Sequence, residues 1–91
     1  MMYTILICDD DKDIVSALDI YLTSEGYQTV RAYNGKEALR AMDTHEIHLI
    51  LMDVMMPELD GVRTTAKLRE GSNVPIILLT AKSEDADKIL G

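Results

Sequence analysis

Asp9, Asp10 and Asp53 are the residues of this chain whose type and placement could do chemistry. Asp9 and Asp10 close the apolar run Tyr3-Thr4-Ile5-Leu6-Ile7-Cys8. Asp53 closes Ile47-His48-Leu49-Ile50-Leu51-Met52. If both runs are parallel buried strands, all three acids converge at one edge of one sheet. Carboxylates packed that closely repel one another unless a cation sits among them. An acidic pocket with a lone Asp at the end of its own strand is a way to hold Mg²⁺ beside a carboxylate nucleophile.

The elements that must position these acids follow from local pattern. Residues 3–8 form a short, nearly continuous apolar run rich in β-formers, which reads as a buried strand. Asp11 offers a helix N-cap, and Asp13 is a first-turn acid. Ile14, Val15, Leu18, Tyr21 and Leu22 fall on one face of the helix that follows, with Gly26 as its C′ residue. Ile20 lies off that stripe, where it is available to a partner surface. Tyr27 to Tyr33 reads as a second strand. Asn34-Gly35 has the composition of a hairpin turn. Lys36-Glu37-Ala38-Leu39-Arg40-Ala41-Met42 follows it with strong helix composition, so Asn34 reads as a cap instead.

Residues 47–52 form a third strand, residues 53–61 a loop, and residues 61–70 a third helix ended by Gly71-Ser72-Asn73. Val74-Pro75-Ile76-Ile77-Leu78-Leu79-Thr80 reads as a fourth strand, with Pro75 tolerated at its start. Ser83 caps a last helix. Strict alternation with short connections predicts an α/β fold: a doubly wound parallel sheet with helices on both faces and right-handed crossovers. The carboxyl ends of its strands share one edge, where ligands bind.

The totals are consistent with one small domain. The chain has 91 residues, of which 47% are apolar, and it has no Trp or Phe. Ile, Leu, Val and Met must therefore fill the core. The net charge of −7 opposes binding of nucleic acid or an anionic membrane by this segment. Cys8 is the only cysteine, so no internal disulfide forms, and it reads as an inert core thiol. The start has no basic region followed by a long apolar stretch, so a cytoplasmic location is expected.

On Ile5-Leu6-Ile7-Cys8-Asp9-Asp10-Asp11, on Leu51-Met52-Asp53-Val54-Met55-Met56-Pro57-Glu58-Leu59-Asp60-Gly61, and on Ile77-Leu78-Leu79-Thr80-Ala81-Lys82, the chain resembles the receiver domain of bacterial two-component response regulators. The resemblance covers residues 1–91 as the N-terminal portion of a receiver. It implies a flavodoxin-like sheet of strand order 2-1-3-4. That order follows from the resemblance, receivers being a standard instance of this winding. It also implies roles. Asp53 would be the phosphoacceptor, taking a phosphoryl group from a phosphohistidine on a sensor histidine kinase. Asp10 would bind Mg²⁺ directly and Asp9 mainly through a coordinated water. Asp53 and the Met55 backbone carbonyl would complete the protein's share of the metal site. Thr80 would hydrogen-bond the phosphoryl group, with small Ala81 leaving room. Pro57 and Gly61 would shape the loop and admit close backbone approach. The output controlled would be transcription, and no turnover enzyme is expected.

Two rival motifs fail on the same residues. Asp9-x-Asp11-x-Asp13 mimics the start of a calcium loop, but Ile14 stands where the sharp turn needs Gly and Ile20 where a bidentate Glu belongs. A Mg²⁺-dependent phosphatase of the haloacid dehalogenase type carries a second Asp two residues past its nucleophile, and here Met55 holds that place. His45 and His48 have no metal-ligand company and read as structural or exposed.

Receivers ordinarily carry a fifth strand and a fifth helix, with a loop Lys and an aromatic switch residue. None of these has a counterpart in the chain, and Lys82 is not that Lys. The expected consequences are an open edge at strand four, an uncovered apolar face beside helix one, and either partial disorder or a homodimer through the strand-four edge. The alternative function is accordingly a truncated, non-phosphorylatable interaction or self-association module.

Overall fold

The computed structural model describes residues 2–56 and 60–79. In chain order the elements are β1 (Thr4–Cys8), α1 (Lys12–Ser24), β2 (Gln28–Ala32), α2 (Gly35–Thr44), β3 (Leu49–Asp53), α3 (Gly61–Arg69) and β4 (Ile76–Leu79). The strands form one sheet in the order β2-β1-β3-β4. All three pairings are parallel, with Leu6 opposite Val30 and Ile50, and Ile50 opposite Ile76. The expected winding and order are both present. The last expected helix, capped by Ser83, lies outside the described residues.

Period-two alternation divides the core. Leu6, Cys8, Ile50 and Met52 face one side of the sheet, where Ala38 and Ala41 of α2 and Leu68 of α3 cover them. Ile5 and Ile7 face the other side, against Val15 of α1, with Leu18, Leu22, Leu49 and Leu51 packed around them. Because β1 is covered on both faces, Ile5 through Cys8 are all buried. That double burial explains why its sequence reads as a continuous apolar run.

Side-chain caps set the helix starts. Asp11 Oδ1 accepts from the N–H groups of Asp13 at 2.9 Å and Ile14 at 3.3 Å. Asn34 Oδ1 accepts from Glu37 N–H at 2.8 Å, and Glu37 Oε1 accepts from Tyr33 N–H at 2.8 Å. This reciprocal pair makes Asn34-Gly35 a helix start and not a hairpin. Gly26 follows α1 with φ 95°, the left-handed conformation that favours glycine after a helix end.

Two sequence expectations are corrected. Ile14 and Tyr21 share one helical face with Val15, Leu18 and Leu22, yet they are 39% and 61% exposed. The arc of apolar residues on α1 is wider than the strip of sheet it meets, and among the described residues Val15, Leu18 and Leu22 are its side chains in core contact. The strands are also shifted. β3 begins at Leu49 and ends on Asp53 itself, and β4 begins at Ile76, after Pro75, whose carbonyl accepts from Ile50 N–H at 3.0 Å. Ile47 and Val74 remain buried although both lie in connections.

Candidate functional site: a carboxylate cluster at the carboxyl edge of the sheet

Parallel pairing brings the ends of β1 and β3 side by side, with Cys8 opposite Met52. The residues just beyond them therefore meet. Asp53 is the last residue of β3, and Asp9 directly follows β1; each is 4% exposed. Asp9 is pinned by its backbone, donating to Ala32 O at 3.1 Å. Asp10 is exposed at the rim. One carboxylate oxygen from each of Asp9, Asp10 and Asp53 lies within 4.8 Å of the other two. The predicted convergence of these three acids is thus observed.

The hydrogen bonding of the cluster is unequal. Asp9 Oδ1 accepts from Asp11 N–H at 2.9 Å, and Asp53 Oδ1 accepts from Met55 N–H at 3.1 Å. Asp53 Oδ2 is buried and has no partner among the described residues. A buried carboxylate oxygen without a donor costs free energy, which a cation or a transferred group would recover. The electrostatics agree. Burial pushes the Asp9 carboxyl up to about 6; the Asp11 N–H opposes this, and the nearby Asp53 charge adds to it. Beneath the cluster, burial and then the charges of Asp9 and Asp53 push the Cys8 thiol up to about 12. Its Sγ packs 3.6 Å from Met56 Sδ and donates to Asn34 O at 3.4 Å, as an inert floor.

This donor set fits a hard, oxygen-seeking divalent cation. Asp9, Asp10 and Asp53 could hold such an ion with water filling the remaining positions. Met55 is tied to the cluster by its N–H, while its side chain is 59% exposed and takes no part. Thr80 lies outside the described residues, as do Pro57, Ala81 and Lys82. The N-cap of α3, not among the residues singled out from sequence, is Asp60. Its Oδ1 accepts from Arg63 N–H at 2.8 Å, and its carbonyl accepts from Thr64 N–H at 2.9 Å. The available signal was an Asp immediately before the helix start.

The family model for the response regulator receiver domain matches residues 5–90. The chain belongs to that family. Among curated relatives, it is 41% identical to the response regulator GtcR of Aneurinibacillus migulanus over 91 residues, covering 100% of this chain and 38% of that protein. It is 43% identical over 88 residues to the alkaline phosphatase synthesis transcriptional regulatory protein PhoP of Bacillus subtilis, covering 96% of this chain and 37% of that one. The chain therefore spans less than two-fifths of the length of these relatives. Among solved structures, the response regulator protein TrrA from Thermotoga maritima, in complex with Mg²⁺-BeF, superposes with a TM-score of 0.84 at 34% identity, covering 97% of this chain and 77% of that one. The Vibrio cholerae chemotaxis protein CheY4 gives 0.83 at 26% identity, covering 100% and 82%. Among the described residues, no helix is long and apolar enough to cross a membrane.

Proposed function

We propose that this chain is the phospho-accepting module of a two-component signalling system, with Asp53 as the acceptor. The observation that carries this reading is the buried, unpartnered Asp53 Oδ2 at the centre of a carboxylate cluster. That oxygen forms a bond to the phosphorus of a phosphohistidine as the phosphorus–nitrogen bond breaks. The imidazole leaves with its electron pair and takes a proton from solvent. Asp10, Asp53 and the Met55 carbonyl would hold Mg²⁺ directly and Asp9 mainly through a coordinated water, and the ion's charge would offset that of the phosphoryl oxygens. The Mg²⁺-BeF complex named for the TrrA structure supports this choice of ion. Thr80 would donate a hydrogen bond to a phosphoryl oxygen in the same reading. Asp9 and Asp11 hold the first acidic turn in place, and the Met55 N–H fixes the other oxygen of Asp53.

The donor is a sensor histidine kinase and the module acts in the cytoplasm; the output is transcription, which the name of the PhoP relative supports. The chain performs its own phosphotransfer and is not a turnover enzyme. Its charge of −7 supports an output exerted without direct contact between this segment and nucleic acid. The test is incubation with a small acyl-phosphate donor and Mg²⁺, followed by intact mass. The expected result is a single phosphoryl adduct that disappears in Asp53→Asn. Labelling of Asp53→Asn at the parental level would place the acceptor elsewhere.

A second reading rests on its own observation. β4 lies at the edge of the sheet, and its Ile77 and Leu78 are 50% and 42% exposed. Apolar residues on an open edge favour strand pairing between copies. In this reading the chain is an interaction or self-association module, and it forms a homodimer without accepting phosphate.

A further inference from the structure

We infer that Gly61 is a positioning residue for Asp53: its bare Cα is pressed against the Asp53 peptide, and the space left by the lacking side chain sets where the acceptor carboxylate stands. This inference rests on the phosphoacceptor reading of the same site. A Cβ built on Gly61 would lie 2.1 Å from Asp53 O, 2.8 Å from Asp53 C and 2.8 Å from Val54 Cα. All three atoms are backbone, so no flexible side chain can swing away. Gly61 has no left-handed φ; among the described residues the glycine with positive φ is Gly26. The requirement at position 61 is therefore for space and not for conformational freedom.

Both sides of this contact are held. On the helix side, Asp60 caps α3 through Arg63 N–H at 2.8 Å, and Thr64 Oγ1 donates to Asp60 O at 2.8 Å. Thr64 and Leu68 are buried beneath the same turn. On the strand side, Val54 N–H donates to Leu79 O at 3.1 Å, which ties the end of β3 to β4. The two sides are joined across the contact by Gly61 N–H donating to Val54 O at 3.0 Å. Any side chain at position 61 must move one held element from the other by on the order of 1 Å. The carboxylate of Asp53 moves with its peptide, away from oxygens of Asp9 and Asp10 that now lie within 4.8 Å. A misplacement of about 1 Å in a reacting geometry costs about a hundredfold in rate.

Gly61→Ala tests this, with Gly71→Ala as the control because a Cβ at Gly71 meets nothing within 4 Å. A second control, Asp60→Ala, weakens the α3 cap without adding bulk against Asp53. Three quantities are measured: amide spectra of β1, β2 and α1, Mg²⁺ affinity from amide shifts, and the labelling rate by a small acyl phosphate. The expected result for Gly61→Ala is retained β1, β2 and α1 signals, with labelling lowered about a hundredfold and Mg²⁺ affinity lowered about ten- to a hundredfold. Gly71→Ala should match the parent, and Asp60→Ala should lose much less than Gly61→Ala. Parental affinity and rate in Gly61→Ala would overturn the inference, as would an equal loss in Asp60→Ala.

A measurement on the unsubstituted chain decides the matter if Gly61→Ala does not fold. With Mg²⁺ at ten times its dissociation constant, hydrogen exchange at the Gly61 amide should slow about tenfold, as mass action requires for an opening that releases the ion. Slowing at Met55 with none at Gly61 would overturn the inference. A parent chain that neither binds Mg²⁺ nor labels overturns the reading of the site itself, which is a different outcome from a labelled parent and an equally labelled Gly61→Ala.

Discussion

Asp9 shows what burial within a carboxylate cluster does to an acid. Its carboxyl rises from the usual 3.8 to about 6, chiefly because it is buried. The folded chain therefore holds this proton more tightly than the unfolded chain does. The contribution of Asp9 is most favourable below about 4 and is lost as pH rises through about 6. In the absence of divalent ions, the denaturant midpoint should fall across that window by up to about 2–3 kcal/mol of stability. Mg²⁺ should restore the loss, and Asp9→Asn should flatten the profile and blunt the response to Mg²⁺. A parent profile that stays flat from about pH 4 to about pH 7 without divalent ions would remove this account of the cluster. At this scale the sequence was informative for a simple reason. Asp53 interrupts an apolar run that ends inside the core, and packing supplies no motive for an acid there. The contact of Cys8 with Met56 was not legible, because it joins residues brought together only by the paired strands.

Helix α1 is held to the sheet by more than its apolar face. Asp19 Oδ1 accepts from Thr23 Oγ1 at 3.1 Å and from the Thr29 hydroxyl. Its Oδ2 accepts from Arg31 Nε at 2.8 Å and from a second guanidinium nitrogen of the same residue. Thr29 and Arg31 belong to β2, so this one carboxylate clasps α1 to an edge strand. The clasp was not legible in the sequence. Position 19 stands beside the apolar stripe, and an acid there reads as ordinary solvated surface. The helix caps at Asp11 and Asn34 were legible because capping is local and its residue types are few. The bonds from Thr29 and then Arg31 hold the Asp19 carboxyl below the usual carboxylate range. Its stabilisation is present above the unfolded value of about 3.9 and is lost as pH falls through the lower folded value. This window lies below that of Asp9, so the two can be told apart. Asp19→Ala should cost about 1 kcal/mol near neutral pH, since Thr29 and Arg31 can return to water. The substitution should also abolish the loss of stability at the acid end of the profile. Urea midpoints measured at about pH 3 and about pH 7 for both proteins check this, and an unchanged acid limb in Asp19→Ala would show that the clasp carries no linked stability.

For the whole molecule, strict alternation of strand and helix was enough to predict a parallel sheet with one functional edge. Composition alone did not supply the strand order 2-1-3-4; it came with the motifs, which tie particular strand ends together. The same architecture leaves the two outer strands in different states. β2 has α1 and α2 packed close, and the Asp19 clasp reaches across to it. β4 has four residues at the opposite edge, with Ile77 facing the α1 side and Leu78 the other, both substantially exposed. Two such edges can pair antiparallel about a two-fold axis, because that arrangement is self-complementary. Four-residue strands add few hydrogen bonds, so the apolar faces must supply much of the association energy. An interface this small should be weak, with dissociation on the order of micromolar. Light scattering over a concentration series should therefore show the mean mass rising toward that of a dimer. Hydrogen exchange on β4 amides should slow over the same range. Ile77→Lys places a charge where the copies would meet and should return the chain to monomer while leaving phosphoryl labelling of Asp53 intact. A monodisperse monomer whose β4 amides are already strongly protected would sink this idea, and would mean that another part of the same chain covers the edge.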